Sequence, residues 1–147
     1  MSNDHDVSVL NGLIKTTLDS AKGYQDAAEH ASGQYASIFS QSAQERSSVA
    51  SKLQEEVRRL GGTPEESSSF LAAAHRTFMD LKNAVLGGND KAVIDEVERG
   101  EDHIKGKYEE ALRDDQLSSQ ARGVVEQALT SVRAGHDRAR ALRHSLA

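Results

Sequence analysis

The sequence has no cysteine, no tryptophan and a single proline. The missing cysteine removes a disulfide framework, an iron–sulfur cluster and a thiol nucleophile together, and a chain without a reducible cross-link fits a cytoplasmic setting. No stretch approaches the roughly 18 apolar residues of a membrane-spanning helix. Residues 1–10 lack the charged-then-apolar pattern of a secretory leader, so no membrane partner is expected. Few β-branched residues stand among abundant Ala, Leu, Glu, Gln and Arg, which favours helix throughout. Two further absences bear on chemistry. No Gly-x-Ser-x-Gly elbow presents a serine nucleophile. Gly61-Gly62 and Gly87-Gly88 follow helical patterns and match helix stops rather than phosphate loops. Nothing here points to an enzyme.

What is present is charge, unevenly spread. The 147 residues carry a net charge of −5. Residues 118–147 hold five arginines against Glu126 and Asp137, so the excess acid lies in the first 117 residues. A basic last segment can meet nucleic acid or an acidic partner. No aromatic residue is interleaved with Arg133, Arg138, Arg140 and Arg143 to stack on bases, so the expectation is that these arginines lie against their own acidic neighbours and that no nucleic acid is bound.

Apolar residues recur at three- and four-residue steps over most of the chain. A first helix is predicted over 7–30, with Leu10, Leu13, Ile14, Thr17, Ala21 and Tyr24 on one stripe and Asp19, Asp26 and His30 on the far side. A second is predicted over 34–60, with Phe39, Val49, Leu53 and Val57 inward and Arg46 on the same stripe. Thr63-Pro64-Glu65-Glu66 reads as a capping box opening a third helix over 64–86, with Phe70 and Phe78 inward and His75 on the flank. A fourth over 90–113 carries Val97, Ile104 and Tyr108 on one side, with Glu101 in the middle of it. A fifth over 118–145 carries Val125, Val132, Gly135 and Ala139 inward. Four long helices and one odd one, in a single domain over 1–147, make an all-α bundle. The segment between the second and fourth helices is long enough to run the length of that bundle.

Gly23-Tyr24-x-x-Ala27-Ala28, Arg46, Leu60-Gly61-Gly62-x-Pro64, His75-Arg76, Glu98-Arg99-Gly100-Glu101-Asp102, Tyr108 and His136-Asp137 together resemble the ferritin-like helical bundles. The nearer resemblance is to an uncharacterised bacterial family of such four-helix bundles, a domain of unknown function. The resemblance implies a ferritin-like four-helix bundle with an additional helix in the long crossover between helices two and four. It also brings in bacterial stress response, the setting of some ferritin-like proteins.

Di-iron sites in such bundles take an inward Glu from each of two helices and a Glu-x-x-His pair from each of the other two. The sequence contains no Glu-x-x-His. Glu45, Glu98, Glu101, Asp102 and His136 remain as a partial ligand set for iron, manganese or zinc. Against this stands a structural reading. Arg46 and Glu101 are opposite charges on core stripes at similar height, where a paired Arg–carboxylate satisfies both and sets helix register. Tyr24, Tyr35 and Tyr108 have hydroxyls to complete such a polar layer. The expectation is therefore a non-enzymatic helical module with no cofactor, acting through a surface that includes pairing as a homodimer; the alternative is a metal-binding bundle built on the five residues above.

Overall fold

The computed structural model describes residues 3–30, 33–66 and 90–145, and within them the chain is all-α. Four helices form a bundle: α1 (Asp4–His30), α2 (Gly33–Arg59), α3 (Asp90–Leu112) and α4 (Ser119–Ser145). At 1.5 Å per residue the 27-residue helices are about 40 Å long. These bounds fall within three residues of those expected from periodicity for the first, second, fourth and fifth helices. The third helix expected over 64–86, with Phe70, His75 and Phe78, lies almost wholly outside the described residues.

Its opening turn is described, and it differs from the expectation. Residues 63–66 are not helical. Instead Asn11 of α1 takes the segment in both directions: its amide donates to the Thr63 carbonyl at 3.0 Å and its Oδ1 accepts from the Glu65 N–H at 2.8 Å. Gln54 of α2 donates to the Glu65 carbonyl at 2.9 Å. The Glu65 N–H, a donor that a helix start would leave to its own cap, and the Thr63 and Glu65 carbonyls are thus satisfied from the bundle.

The end of α2 follows from its glycines. Gly61 has φ of +83°, its N–H reaches the Arg58 carbonyl and the Gly62 N–H reaches the Val57 carbonyl, both at 3.0 Å. This pair of bonds is a Schellman cap, which needs a residue that tolerates the left-handed region. A Cβ on Gly62 would sit 2.8 Å from the Val7 methyls, so the missing side chain lets the start of α1 close on the cap. At the same end, Asp6 accepts the Ser118 N–H at 3.0 Å, and Ser118 Oγ accepts the Ala121 N–H at 3.1 Å, capping α4. His5 meets Asp114 at 2.7 Å.

These contacts gather the start of α1, the end of α2 and the α3–α4 turn at one end of the bundle. The order is therefore up, down, down, up, with α2 and α3 parallel to each other. α1 packs on α2 and α3, α4 packs on α3 and α2, and α2 and α3 face each other across a diagonal. Two apolar clusters fill the interior. The larger, at the capped end, includes Leu10, Ile14, Leu53, Ile104, Val125 and Val132. The smaller, toward the α1–α2 turn, holds Tyr24, Ala27, Phe39, Ala43, Val97 and Ala139.

One residue placed on the far side of α1 is not there. Asp26 is only 5% exposed and lies 3.4 Å from Lys22, one turn back. A helix wheel locates the main apolar stripe but does not say how many neighbours a helix has. Gly61→Ala is expected to destabilise by about 1 kcal/mol, or roughly 3 °C in a thermal melt, because the left-handed φ must be kept. Gly123→Ala, at an exposed α4 position with open space around it, is expected to stabilise by about 0.5–1 kcal/mol in the same melt.

Candidate functional site

Between the two apolar clusters lies a polar layer to which all four helices contribute. Arg46 of α2 and Glu101 of α3 are 2% and 1% exposed. Arg46 Nη2 donates to Glu101 Oε2 at 2.6 Å. The same nitrogen lies 3.4 Å from the Val132 carbonyl of α4, and Nη1 donates to Ser20 Oγ of α1 at 2.9 Å. The Tyr24 hydroxyl donates to Glu101 Oε1. The guanidinium carbon also stands 5.8 Å from the Tyr24 ring centroid, within cation–π range.

Each position follows from helical geometry. Ser20 and Tyr24 are four residues apart and share a face of α1, so one reaches the guanidinium and the other the carboxylate. Val132 and Gly135 are three apart on α4. A Cβ on Gly135 would lie 2.3 Å from Arg46 Nη2 and 3.4 Å from Glu101 Oε2. The head group of Arg46 therefore occupies the room that the glycine leaves on α4.

Burial here carries a high cost in water lost, several kcal/mol for each charge, which the pair offsets only because its hydrogen bonds are made. The effect reaches Tyr24, whose phenol is held well above the usual range, first by burial and then by the Glu101 carboxylate it donates to. Tyr108 lies outside this layer. Its hydroxyl pairs at 2.6 Å with Thr17 Oγ1, which in turn donates to the Leu13 carbonyl at 2.7 Å, and burial pushes the phenol up to about 12. The expected grouping of Tyr108 with the charges is corrected accordingly: it closes a separate contact about two turns along α3. Tyr35 is half-buried against the smaller apolar cluster.

The partial metal-ligand set is dispersed. Both oxygens of Glu45 accept from Arg138, at 3.1 and 3.2 Å, and Arg138 also donates to Ser42 Oγ at 3.1 Å. Asp102, its side chain 64% exposed, meets His136 Nε2 at 2.5 Å. Glu101 is held by Arg46 and Tyr24, and Glu98 is half-buried on α3. Among the described residues no three His, Asp or Glu side chains converge as a metal ion requires. His136, expected on a flank, is 8% exposed. Arg138–Glu45 and Arg133–Glu109, the latter at 3.7 Å, lay two arginines of the last helix against acids of their own chain.

The sequence matches, over residues 6–114, the family described as a domain of unknown function (DUF2383). The chain belongs to that family. The matched stretch contains Tyr24, Arg46 and Glu101, and α4 follows it. No curated protein matches the chain.

Removing one partner of the pair leaves a buried charge alone, so Arg46→Met and Glu101→Leu are each expected to cost about 3–5 kcal/mol in denaturant unfolding, while the double variant costs clearly less than their sum. Gly135→Ala is expected to destabilise by about 1–3 kcal/mol, because overpacking against a pinned guanidinium outweighs the helix-propensity gain. Both raised phenols stabilise the fold fully below the unfolded tyrosine range. That stability is lost as pH rises toward the folded value, since the unfolded chain gives up its protons first. Melting temperature should therefore fall between about pH 10 and 12, with the buried phenols showing phenolate absorbance only as the protein unfolds.

Proposed function

We propose that this DUF2383 protein is a non-enzymatic, ferritin-like helical module in which the Arg46–Glu101 pair stands where ferritin-like bundles hold a di-iron centre. The up-down-down-up order of the four helices supports the ferritin-like reading. The observation that carries the rest is the engagement of Glu101: one oxygen takes a guanidinium at 2.6 Å and the other a phenol. A metal ion bound by that carboxylate would have to sit beside a fixed positive charge of its own sign.

The neighbouring candidates are committed in the same sense. Glu45 is held by an arginine and Asp102 by a histidine, and the helices lack the Glu-x-x-His pairs that aim two ligands at one ion. The residues present do not fit a di-iron group. A module of this kind acts through its surface, and a role in bacterial stress survival rests on the ferritin-like resemblance alone.

Elemental analysis of the full chain purified without chelator decides between this reading and a metal protein. The expected content of iron, manganese and zinc is below about 0.1 per chain, as for any protein with no site of the ligand number these ions require. Near-stoichiometric metal that is lost in Glu101→Gln would overturn the proposal.

A further inference from the structure

We propose that the groove between α2 and α4 binds a small carboxylate whose apolar body is about one aromatic ring in size. The groove is built from positions one helical turn apart. On α2, buried Val49 and Leu53 form its floor, and exposed Ser48 and Lys52 its rim. On α4, half-buried Val124 and Ala128 continue the floor, with Gln127 and Ser131 beside them. Residues four apart share a helix face, so each helix turns one apolar pair and one polar pair toward the same space. An apolar floor with a few placed polar groups is the usual make-up of a small-molecule site.

The polar groups are uncommitted. Among the described residues, no side-chain hydrogen bond or ion pair engages Ser48, Lys52, Gln127 or Ser131. Glu45 also borders the groove, but both its oxygens are taken by Arg138. Lys52 is therefore the one formal charge lining the groove that lacks a partner among the described residues, and it sets the sign of the ligand. A cation finds no open carboxylate there and is repelled by the ammonium. A carboxylate gains that ammonium, with hydroxyl and amide donors beside it.

Volume sets the size. The groove holds about 190 Å³. A cavity of about 150 Å³ takes a benzene ring, and drug-sized ligands begin near 300 Å³. One ring or a short branched chain, together with its carboxylate, fits this space. A nucleotide or a folded peptide does not. The rim is exposed, so a ligand of about ten heavy atoms keeps part of its surface in water, and its dissociation constant is expected on the order of 1 mM. This inference is independent of whether the bundle centre takes a metal.

Backbone amide NMR on the full chain, titrated with sodium benzoate to about 20 mM at constant ionic strength, tests it. Saturating shifts are expected over residues 48–53 and 124–131. Benzyl alcohol keeps the ring without the charge, and acetate keeps the charge without the ring. Each is expected to bind at least about threefold more weakly than benzoate. Lys52→Gln should weaken benzoate by a similar factor and leave benzyl alcohol unchanged, a difference that a loss of fold would not produce. Ala128→Leu fills the floor and should abolish saturation. Circular dichroism should show both variants as helical as the parent, and Lys15→Gln on α1 should bind as the parent does. Shifts that stay linear to 20 mM, or that acetate reproduces in full, would overturn the proposal. So would benzoate binding indifferent to Lys52→Gln and Ala128→Leu, or self-association of the chain that perturbs the same amides and leaves no benzoate response, which would give the groove to a second copy.

Discussion

A single arginine crossing the middle of the bundle is the constraint on which the rest depends. Arg46 reaches from α2 to Glu101 on α3, the two helices that face each other across a diagonal and pack mainly on others. Its remaining contacts go to α1 and α4. One guanidinium therefore touches all four helices at the same level. An apolar side chain at position 46 would fill volume without dictating which residues lie opposite. The charge admits one arrangement, in which a carboxylate from α3, a hydroxyl from α1 and a gap on α4 arrive together. The gain is uniqueness of register rather than net stability, because desolvation takes back much of what the pair contributes.

The layers on either side depend on that register. With Glu101 facing Tyr24, antiparallel packing of α1 and α3 brings Tyr108 level with Thr17. With Arg46 against Val132 and Gly135, α2 and α4 are set so that Glu45 meets Arg138. The Schellman cap at Gly61 and the Asp6–Ser118 contact hold the far end at the same alignment. A slip of one turn in any helix would strand a buried charge, and no single apolar contact in the two clusters carries a penalty of that kind.

Four of the five expected helices are legible because a 3.6-residue apolar period and glycine stops are strong local signals, and the two central charges because each interrupts an apolar stripe. What surrounds them is not. Gly135 lies on the inward stripe of α4 among alanines and valines, where a small residue signals nothing until the guanidinium is seen against it. Tyr108 was grouped with the charges by composition, but its partner depends on how far along α3 the neighbouring helix presents Thr17. Asp26 looked solvated because a wheel shows one stripe and not the number of neighbours. The Thr63–Glu66 run carries a sound capping signal, yet Asn11, distant in sequence, accepts the Glu65 N–H that a cap would satisfy, and Asn11 and Gln54 occupy the Thr63 and Glu65 carbonyls that a helix would use for its own first bonds.

The reach of the family match adds a structural point. It ends at residue 114, so Tyr24, Arg46 and Glu101 fall within it while Val132, Gly135, His136 and Arg138 do not. Yet the charged layer does not close within the matched stretch. Without α4 the Arg46 head group would lose the Val132 carbonyl and lie open on the side where Gly135 now covers it, in contact with water rather than with backbone. A guanidinium so exposed keeps its charge without strain and no longer needs Glu101 to be at one height. The register-setting power of the pair thus comes from its enclosure, and enclosure is supplied by a helix outside the recognisable family stretch. The residue that makes enclosure possible is one whose contribution is the absence of a side chain.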